Sequence, residues 1–176
     1  MADTDVLVIG GGPAGAAAAY WLARHGHGVT IVERKTFPRE KTCGDGLTPR
    51  AVHQLDEMGL SEQLKKYHRY NGLRATGMGR ELELEWPSHP VYPQHGYVVR
   101  RRELDQMVAD NAQQAGATSL LGHAAVQPIG ERGLERGHTG QTYGRETKAL
   151  HAQTARIRHG HTTHLVGAQR HSTRPR

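Results

Sequence analysis

The sequence contains little cysteine and little phenylalanine, with one residue of each among 176. The single cysteine, Cys43, excludes a disulfide within the chain and favours a reducing compartment. Hydrophobic residues make up 36% of the chain, which is lean for a domain with a full core. The length allows one domain of ordinary size.

Long hydrophobic runs are also missing. The longest apolar stretch, residues 14–23, is interrupted by Gly15 and is too short to span a bilayer. The amino-terminal residues lack a basic start, and glycines interrupt the apolar run that a signal peptide needs. We therefore predict a cytoplasmic protein, with peripheral contact at the inner face of the cell membrane as an alternative.

The body of the chain has no excess of charge of either sign. Residues 1–130 contain 14 Lys/Arg and 14 Asp/Glu, whereas residues 131–176 contain 9 Lys/Arg and 3 Asp/Glu. The net charge of +6 therefore belongs to the last segment. A nucleic-acid partner is not expected for the body, because it has no basic surplus with which to attract phosphates.

The first 33 residues have the pattern of a βαβ unit. An apolar β-rich run at residues 5–9 is followed by the glycine-rich turn "GGGPAG", and residues 14–25 are predicted to form a helix that Gly26 ends. Residues 29–32 are predicted to form a second strand, with Glu33 at its carboxyl end.

The glycines and the acid match the dinucleotide-binding fingerprint. Gly10 permits the tight turn, Gly12 lets a pyrophosphate approach the backbone, and Gly15 lets the helix pack close to the strand. Glu33 is placed to accept a hydrogen bond from a ribose 2′-hydroxyl and would repel the 2′-phosphate of NADP. FAD and NAD share this geometry, so the fingerprint leaves the choice between them open.

The middle of the chain alternates between helix and strand patterns. Thr48 and Pro49 indicate the start of a helix, with Thr48 as its cap, and residues 61–66 indicate a further helical turn. Strands are predicted at residues 73–78, 81–86 and 97–100, and the alternating glutamates of the second are interpreted as a solvated face. A helix over 101–115 and strands at 119–121 and 124–126 follow. The pattern indicates a nucleotide-binding α/β domain interrupted by a β-rich insertion.

Three stretches carry a resemblance to a known family: "VLVIGGGPAGAAAAYWLARHGHGVTIVER", "FPREKTCGDGLTPRAVHQLDEMGL" and "GYVVRRRELDQMVADNAQQAGA". Over residues 4–127 the chain resembles the geranylgeranyl reductases, FAD-dependent oxidoreductases with the para-hydroxybenzoate hydroxylase type of fold. The second stretch is the most diagnostic, and it is most similar to the bacterial menaquinone reductase branch. The resemblance implies a Rossmann-like FAD-binding domain that is incomplete at its carboxyl end.

The resemblance also implies cofactor-binding residues. The glycine turn would hold the FAD pyrophosphate, Glu33 and Arg34 would flank the adenosine ribose, and Arg101 would approach the phosphates, with Arg100 or Arg102 as alternatives one residue away. Asp105 completes the pattern of Arg101. The full predicted set is Gly10, Gly12, Pro13, Ala14, Gly15, Glu33, Arg34, Cys43, Gly44, Arg101, Ala125 and Val126.

The implied reaction is hydride transfer from reduced flavin to an isoprenoid C=C bond of a polyprenyl lipid or quinone. The electron donor would be NAD(P)H or a redox protein. Within the second stretch, residues 43–46 form what we call the diagnostic loop. Its titratable side chains, Cys43 and Asp45, are the candidates for the catalytic proton donor, although flavin or water would also serve. Packing of a small thiol is the alternative for Cys43. No metal is expected in the site.

The segment 131–176 lacks the further FAD-binding motifs of the family and shows no period of 2 or 3.6. We therefore predict a partial FAD-binding domain over 4–130 and a basic low-complexity tail over 131–176. Three interpretations of that tail are open. They are a frame-shifted or truncated gene copy, a native tail that binds nucleic acid or anionic lipid, and a metal site at His159, His161 and His164. For the chain itself, a non-catalytic nucleotide-binding fragment and an NAD-dependent dehydrogenase domain are the alternatives to the reductase.

Overall fold

The computed structural model describes residues 4–42, 44–131, 134–142 and 147–158. The first βαβ unit consists of β1 (Thr4–Ile9), α1 (Pro13–Arg24) and β2 (Val29–Glu33). Strand β2 lies parallel to β1, as a right-handed crossover through a helix requires. The predicted βαβ start is therefore confirmed, with helix bounds one residue from those expected.

The inserted region contains short elements. They are β3 (Gly46–Leu47), α2 (Pro49–Glu57), α3 (Ser61–Leu64), β4 (His68–Tyr70), β5 (Gly72–Gly77), β6 (Arg80–Glu85) and β7 (Gly96–Val98). Strands β3, β7 and β4 form a three-stranded antiparallel sheet, and β5 and β6 form a separate hairpin. Helix α2 begins where Thr48 and Pro49 predict, but the Thr48 side chain makes no capping hydrogen bond.

The chain then returns to the main sheet. Its last elements are α4 (Arg101–Gln114), β8 (Thr118–Leu121), β9 (His123–Glu131), β10 (Leu134–Thr142) and β11 (Thr147–Arg158). The strand order of this six-stranded sheet is β8-β2-β1-β11-β10-β9. Strands β8, β2, β1 and β11 are parallel, and β10 pairs antiparallel with both β11 and β9.

The strands β10 and β11 occupy much of the segment in which the sequence indicated no regular structure. Their residues have little period-two alternation, but β11 pairs along β1 in the interior of the sheet. Leu150 and Ala152 of β11 are buried against Leu7 and Val32. Residues 159–176, which include the three histidines of the suggested metal site, lie outside the described residues.

Both faces of the sheet contribute to the core. Val8 and Ile31 point to the face covered by α1 and α4, where they pack against Ala19 and Ala112. Leu7 and Val32, their alternating neighbours, point to the opposite face. This packing fixes the carboxyl ends of β1 and β2, and therefore the turn between β1 and α1, at one edge of the sheet.

The β5–β6 hairpin is exposed on both of its faces. Its glutamates lie in solvent as predicted, and Leu82 and Leu84 on the other face are also 56% and 49% exposed. The period-two pattern therefore identifies the strand but not what covers its apolar side.

Candidate functional site

The glycine turn between β1 and α1 has the geometry that the fingerprint predicts. Gly10 has φ +97°, a left-handed conformation that favours glycine. A Cβ on Gly15 would overlap the carbonyl oxygen of Gly10, so only glycine lets α1 pack this closely to the strand. Gly12 is the N-cap of α1, and no acidic residue lies in the first turn. The positive end of the helix is therefore available to an anion.

Glu33 lies beside this turn, at the end of β2, and is 6% exposed. Its Oε2 accepts a hydrogen bond of 2.9 Å from the Gly11 amide, and its Oε1 accepts one of 3.0 Å from the Lys35 amide. The carboxylate is thus held within the site by two backbone donors. This is the position in which the fingerprint requires an acid for a ribose hydroxyl.

Arg39 joins the site from the loop after β2, and the sequence analysis did not single it out. Its Nη2 lies 3.8 Å from Glu33 Oε2 and 3.1 Å from Asp105 Oδ2. The same Nη2 lies 3.4 Å from the place where a Cβ of Gly12 would be. A guanidinium therefore borders the glycine turn, although no motif spacing marks this arginine.

Among the three candidate arginines at the start of α4, Arg101 is the one that turns inward. Its Nε donates to Asp105 Oδ1 at 3.0 Å, and its Nη2 lies 3.4 Å from Asp105 Oδ2. Arg100 and Arg102 are exposed, and Arg102 pairs with Glu40 at 3.2 Å. Asp105 is fully buried and contacts both Arg39 and Arg101. The Arg101–Asp105 pattern therefore forms an ion pair that Arg39 connects to the glycine turn.

Asp45, a candidate proton donor, has a structural contact. Its Oδ1 accepts a hydrogen bond of 3.1 Å from the Arg101 amide, the first of α4, and its carbonyl accepts one of 2.8 Å from the Val99 amide. Asp45 therefore ties the diagnostic loop to the start of α4. Gly44 is exposed next to it, and Cys43 lies outside the described residues, so its catalytic and flavin-proximal roles stay predictions.

The remaining predicted cofactor residues lie in α1, directly after β2 and in β9. Pro13 is the first residue of α1, Ala14 is exposed beside it, and Arg34 is exposed directly after β2. Ala125 and Val126 lie in β9, where Ala125 packs on the core and Val126 is exposed. Their approach to an adenine stays a prediction.

Two other kinds of site are not seen in the part of the chain that the structure describes. Its histidines and acids include no group of three that would hold a metal ion. None of its helices is both long and apolar enough to cross a bilayer.

The residues present suit the adenosine diphosphate part of a dinucleotide. Gly12 leaves the space for phosphate beside the end of α1, and Glu33 supplies a buried acceptor next to it. Arg39 adds positive charge at the same turn. The site therefore combines a phosphate-binding turn with a hydroxyl-binding acid.

Comparison with known proteins identifies the dinucleotide. A family description, that of the FAD binding domain, matches residues 3–155. The chain is 50% identical over 124 residues to a menaquinone reductase of Mycobacterium tuberculosis, a match that covers 70% of this chain and 30% of that protein. The chain therefore spans about a third of the length of such relatives.

Solved structures show the same fold. A geranylgeranyl bacteriochlorophyll reductase-like protein from Thermoplasma acidophilum is 27% identical, with a TM-score of 0.72 over 85% of this chain and 37% of that one. A myxobacterial chondrochloren halogenase, described as FAD-dependent, is 27% identical, with a TM-score of 0.77 over 85% of this chain and 35% of that one. The chain belongs to the FAD-binding domain family of flavoprotein oxidoreductases, and FAD is its cofactor.

Proposed function

We propose that this chain forms the adenosine diphosphate-binding part of an FAD-dependent reductase that acts on isoprenoid C=C bonds of a polyprenyl lipid or quinone. The observation that carries the proposal is the buried Glu33 carboxylate hydrogen-bonded to the glycine turn, in a chain 50% identical over 124 residues to a menaquinone reductase. The diagnostic loop that contains Asp45 supports the same assignment, because it packs on the start of α4 beside this site.

The residues of this chain have binding and positioning tasks. The first turn of α1 and Gly12 would hold the phosphates, Glu33 would accept a ribose hydroxyl, and the Arg101–Asp105 pair would keep α4 against the turn. In this site, bound and reduced FAD would supply hydride chemistry for the C=C bond. A proton completes the reduction, and Cys43 and Asp45 are the proposed side chains for that proton. The electron donor would be NAD(P)H or a redox protein.

A chimera tests this proposal. Residues 4–127 of this chain replace the corresponding part of the mycobacterial menaquinone reductase, which supplies the remaining length. We expect the chimera to copurify with FAD and, after reduction with dithionite, to saturate an isoprenoid C=C bond of menaquinone. After reoxidation of the quinol ring, the recovered quinone should be two mass units heavier than the starting menaquinone. A chimera with Glu33→Ala serves as the matched control and should lose FAD. A chimera that folds but retains no FAD contradicts the proposal.

The alternative is a non-catalytic nucleotide-binding fragment. The observation that favours it is that the matched region covers 30% of the menaquinone reductase. The two proposals predict different behaviour for the chain by itself. Binding of FAD without turnover of menaquinone supports the fragment, whereas turnover by the chain alone supports the complete enzyme. We expect weak binding and no turnover.

A further inference from the structure

Four charged side chains form a connected network beside the glycine turn: Glu33, Arg39, Asp105 and Arg101. They come from β2, from the loop after it and from α4, and they are mostly buried, with Asp105 fully so. Two carboxylates face two guanidiniums, so the network balances in charge. Arg39 is the member that contacts both carboxylates.

Arg39 contacts both carboxylates of the network through the same atom, Nη2. Burial of a carboxylate is costly without cationic partners, and Arg39 and Arg101 contact the buried Asp105 at 3.1 Å and 3.0 Å. Arg39 lies nearest to Oδ2 of the Asp105 carboxylate, whereas Arg101 lies nearest to Oδ1. Asp105 therefore holds the Nη2 end of the Arg39 guanidinium in place.

Glu33 is left with limited capacity for a ligand. A carboxylate accepts about four hydrogen bonds. The amides of Gly11 and Lys35 occupy two of these positions, one on each oxygen, which leaves about two for a ligand. Arg39 Nη2 lies 3.8 Å from Oε2, so its positive charge borders the carboxylate.

We propose that Arg39 is a positioning residue of the adenosine site, which orients the Glu33 carboxylate toward the ribose hydroxyl and is itself fixed by Asp105. The proposal rests on the FAD site proposed above. The Nε–H of Arg39 is buried and has no hydrogen-bond partner in the described ranges. Arg39 would then link the ribose-binding acid to the helix that carries Arg101.

The test compares two nucleotides that differ by one hydroxyl. ADP and 2′-deoxy-ADP share the adenine and phosphates, so the ratio of their dissociation constants reports the hydrogen bond to Glu33. A hydrogen bond to a charged group corresponds to a ratio of about tenfold or more for the unmodified chain. We expect Arg39→Met to bring the ratio close to one, and Arg39→Lys to restore part of it. Arg80→Met, on the exposed hairpin, is the matched control and should keep the original ratio.

A role limited to stability would give a different result. In that case Arg39→Met would weaken both nucleotides equally and leave their ratio unchanged, which would overturn the proposal. A ratio near one in the unmodified chain would overturn it as well, since Glu33 would then not recognise the hydroxyl.

A second measurement needs no ligand. The exchange rate of the Gly11 and Lys35 amide hydrogens reports whether these amides keep their hydrogen bonds to the Glu33 carboxylate. We expect Arg39→Met, but not Arg80→Met, to accelerate exchange at both amides by about tenfold or more. If the chain bound neither nucleotide, that result by itself would contradict only the proposed function. Unchanged amide exchange in Arg39→Met would overturn the positioning role in either case.

Discussion

At the scale of single residues, Gly15 is the position whose side chain the site restricts most. A Cβ there would overlap the backbone of Gly10, which cannot move without displacing the turn. A clash with backbone is costlier than one with a flexible side chain, because the chain has no alternative rotamer to adopt. The identity of Gly15 therefore follows from the close approach of α1 to β1.

We expect Gly15→Ala to lower the free energy of unfolding by about 1–3 kcal/mol or more and to weaken FAD binding. Gly77→Ala is the matched control, because nothing lies within 4 Å of the place where its Cβ would be. Its effect should stay within about 0.5 kcal/mol. Urea unfolding of both variants measures the difference, and equal effects would contradict the close packing described above.

His95 gives a prediction on pH. Burial, and then the charge of Arg69, lower its pKa below the usual value, while Asp56 acts in the opposite direction. The folded protein therefore favours the neutral ring, and its stabilising contribution is present above the unfolded pKa of about 6.5 and is lost as the pH falls below it.

We expect His95→Asn to reduce the loss of stability between pH 7 and pH 5. Urea midpoints at the two pH values measure this loss. His68→Asn, on exposed β4, should leave the profile as in the unmodified chain. An unchanged profile in His95→Asn would show that its ring does not carry the effect.

Residue positions beside the glycine turn were predictable where a local rule or the family resemblance applies. Glu33 and the glycines follow from the spacing of the βαβ unit, and Arg101 from the family pattern that ends in Asp105. Arg39 could not be found in this way, because its position depends on Asp105, which is 66 residues further along the chain. Long-range ion pairs of this kind leave no periodicity in the sequence.

At the scale of elements, the start of α4 depends on the diagnostic loop. Asp45 Oδ1 accepts the Arg101 amide and so satisfies one of the donors that a helix leaves unpaired at its first turn. This contact also explains why an acid suits the loop without any catalytic task.

Two substitutions separate the capping role of Asp45 from proton donation. Asp45→Ala should cost about 1 kcal/mol of stability, as loss of a helix cap does, whereas Asp45→Asn keeps an acceptor and should cost a few tenths. Thermal unfolding measures both. In the menaquinone reductase chimera, Asp45→Asn with normal stability and normal turnover would exclude Asp45 as the proton donor.

The same scale shows where sequence patterns stop being informative. The helices α1 and α4 lie within two residues of their predicted bounds, and α2 begins at its predicted residue, since apolar spacing, glycines and prolines are local signals. Strands β10 and β11 were not predicted, because their residues alternate poorly and their pairing with β1 is long-range. A sheet position can thus be fixed by partners rather than by propensity.

At the scale of the whole molecule, the described structure contains one part of a larger type of site. The chain covers 30% of the menaquinone reductase it matches, and the β5–β6 hairpin exposes Leu82 and Leu84. The fold holds in place the edge of the sheet where β1, β2 and α1 meet, with Glu33 beside the glycine turn. The proposed function therefore depends on whether that edge binds FAD.

Titration of the chain with FAD, followed by flavin fluorescence, tests this directly. We predict weak one-to-one binding that Glu33→Ala weakens by about tenfold or more, since a hydrogen bond to a charged group is lost. Glu81→Ala, at an exposed acid of the hairpin, should bind FAD as the unmodified chain does. Absence of FAD binding by the folded chain, or equal binding by the Glu33→Ala variant, would contradict the account.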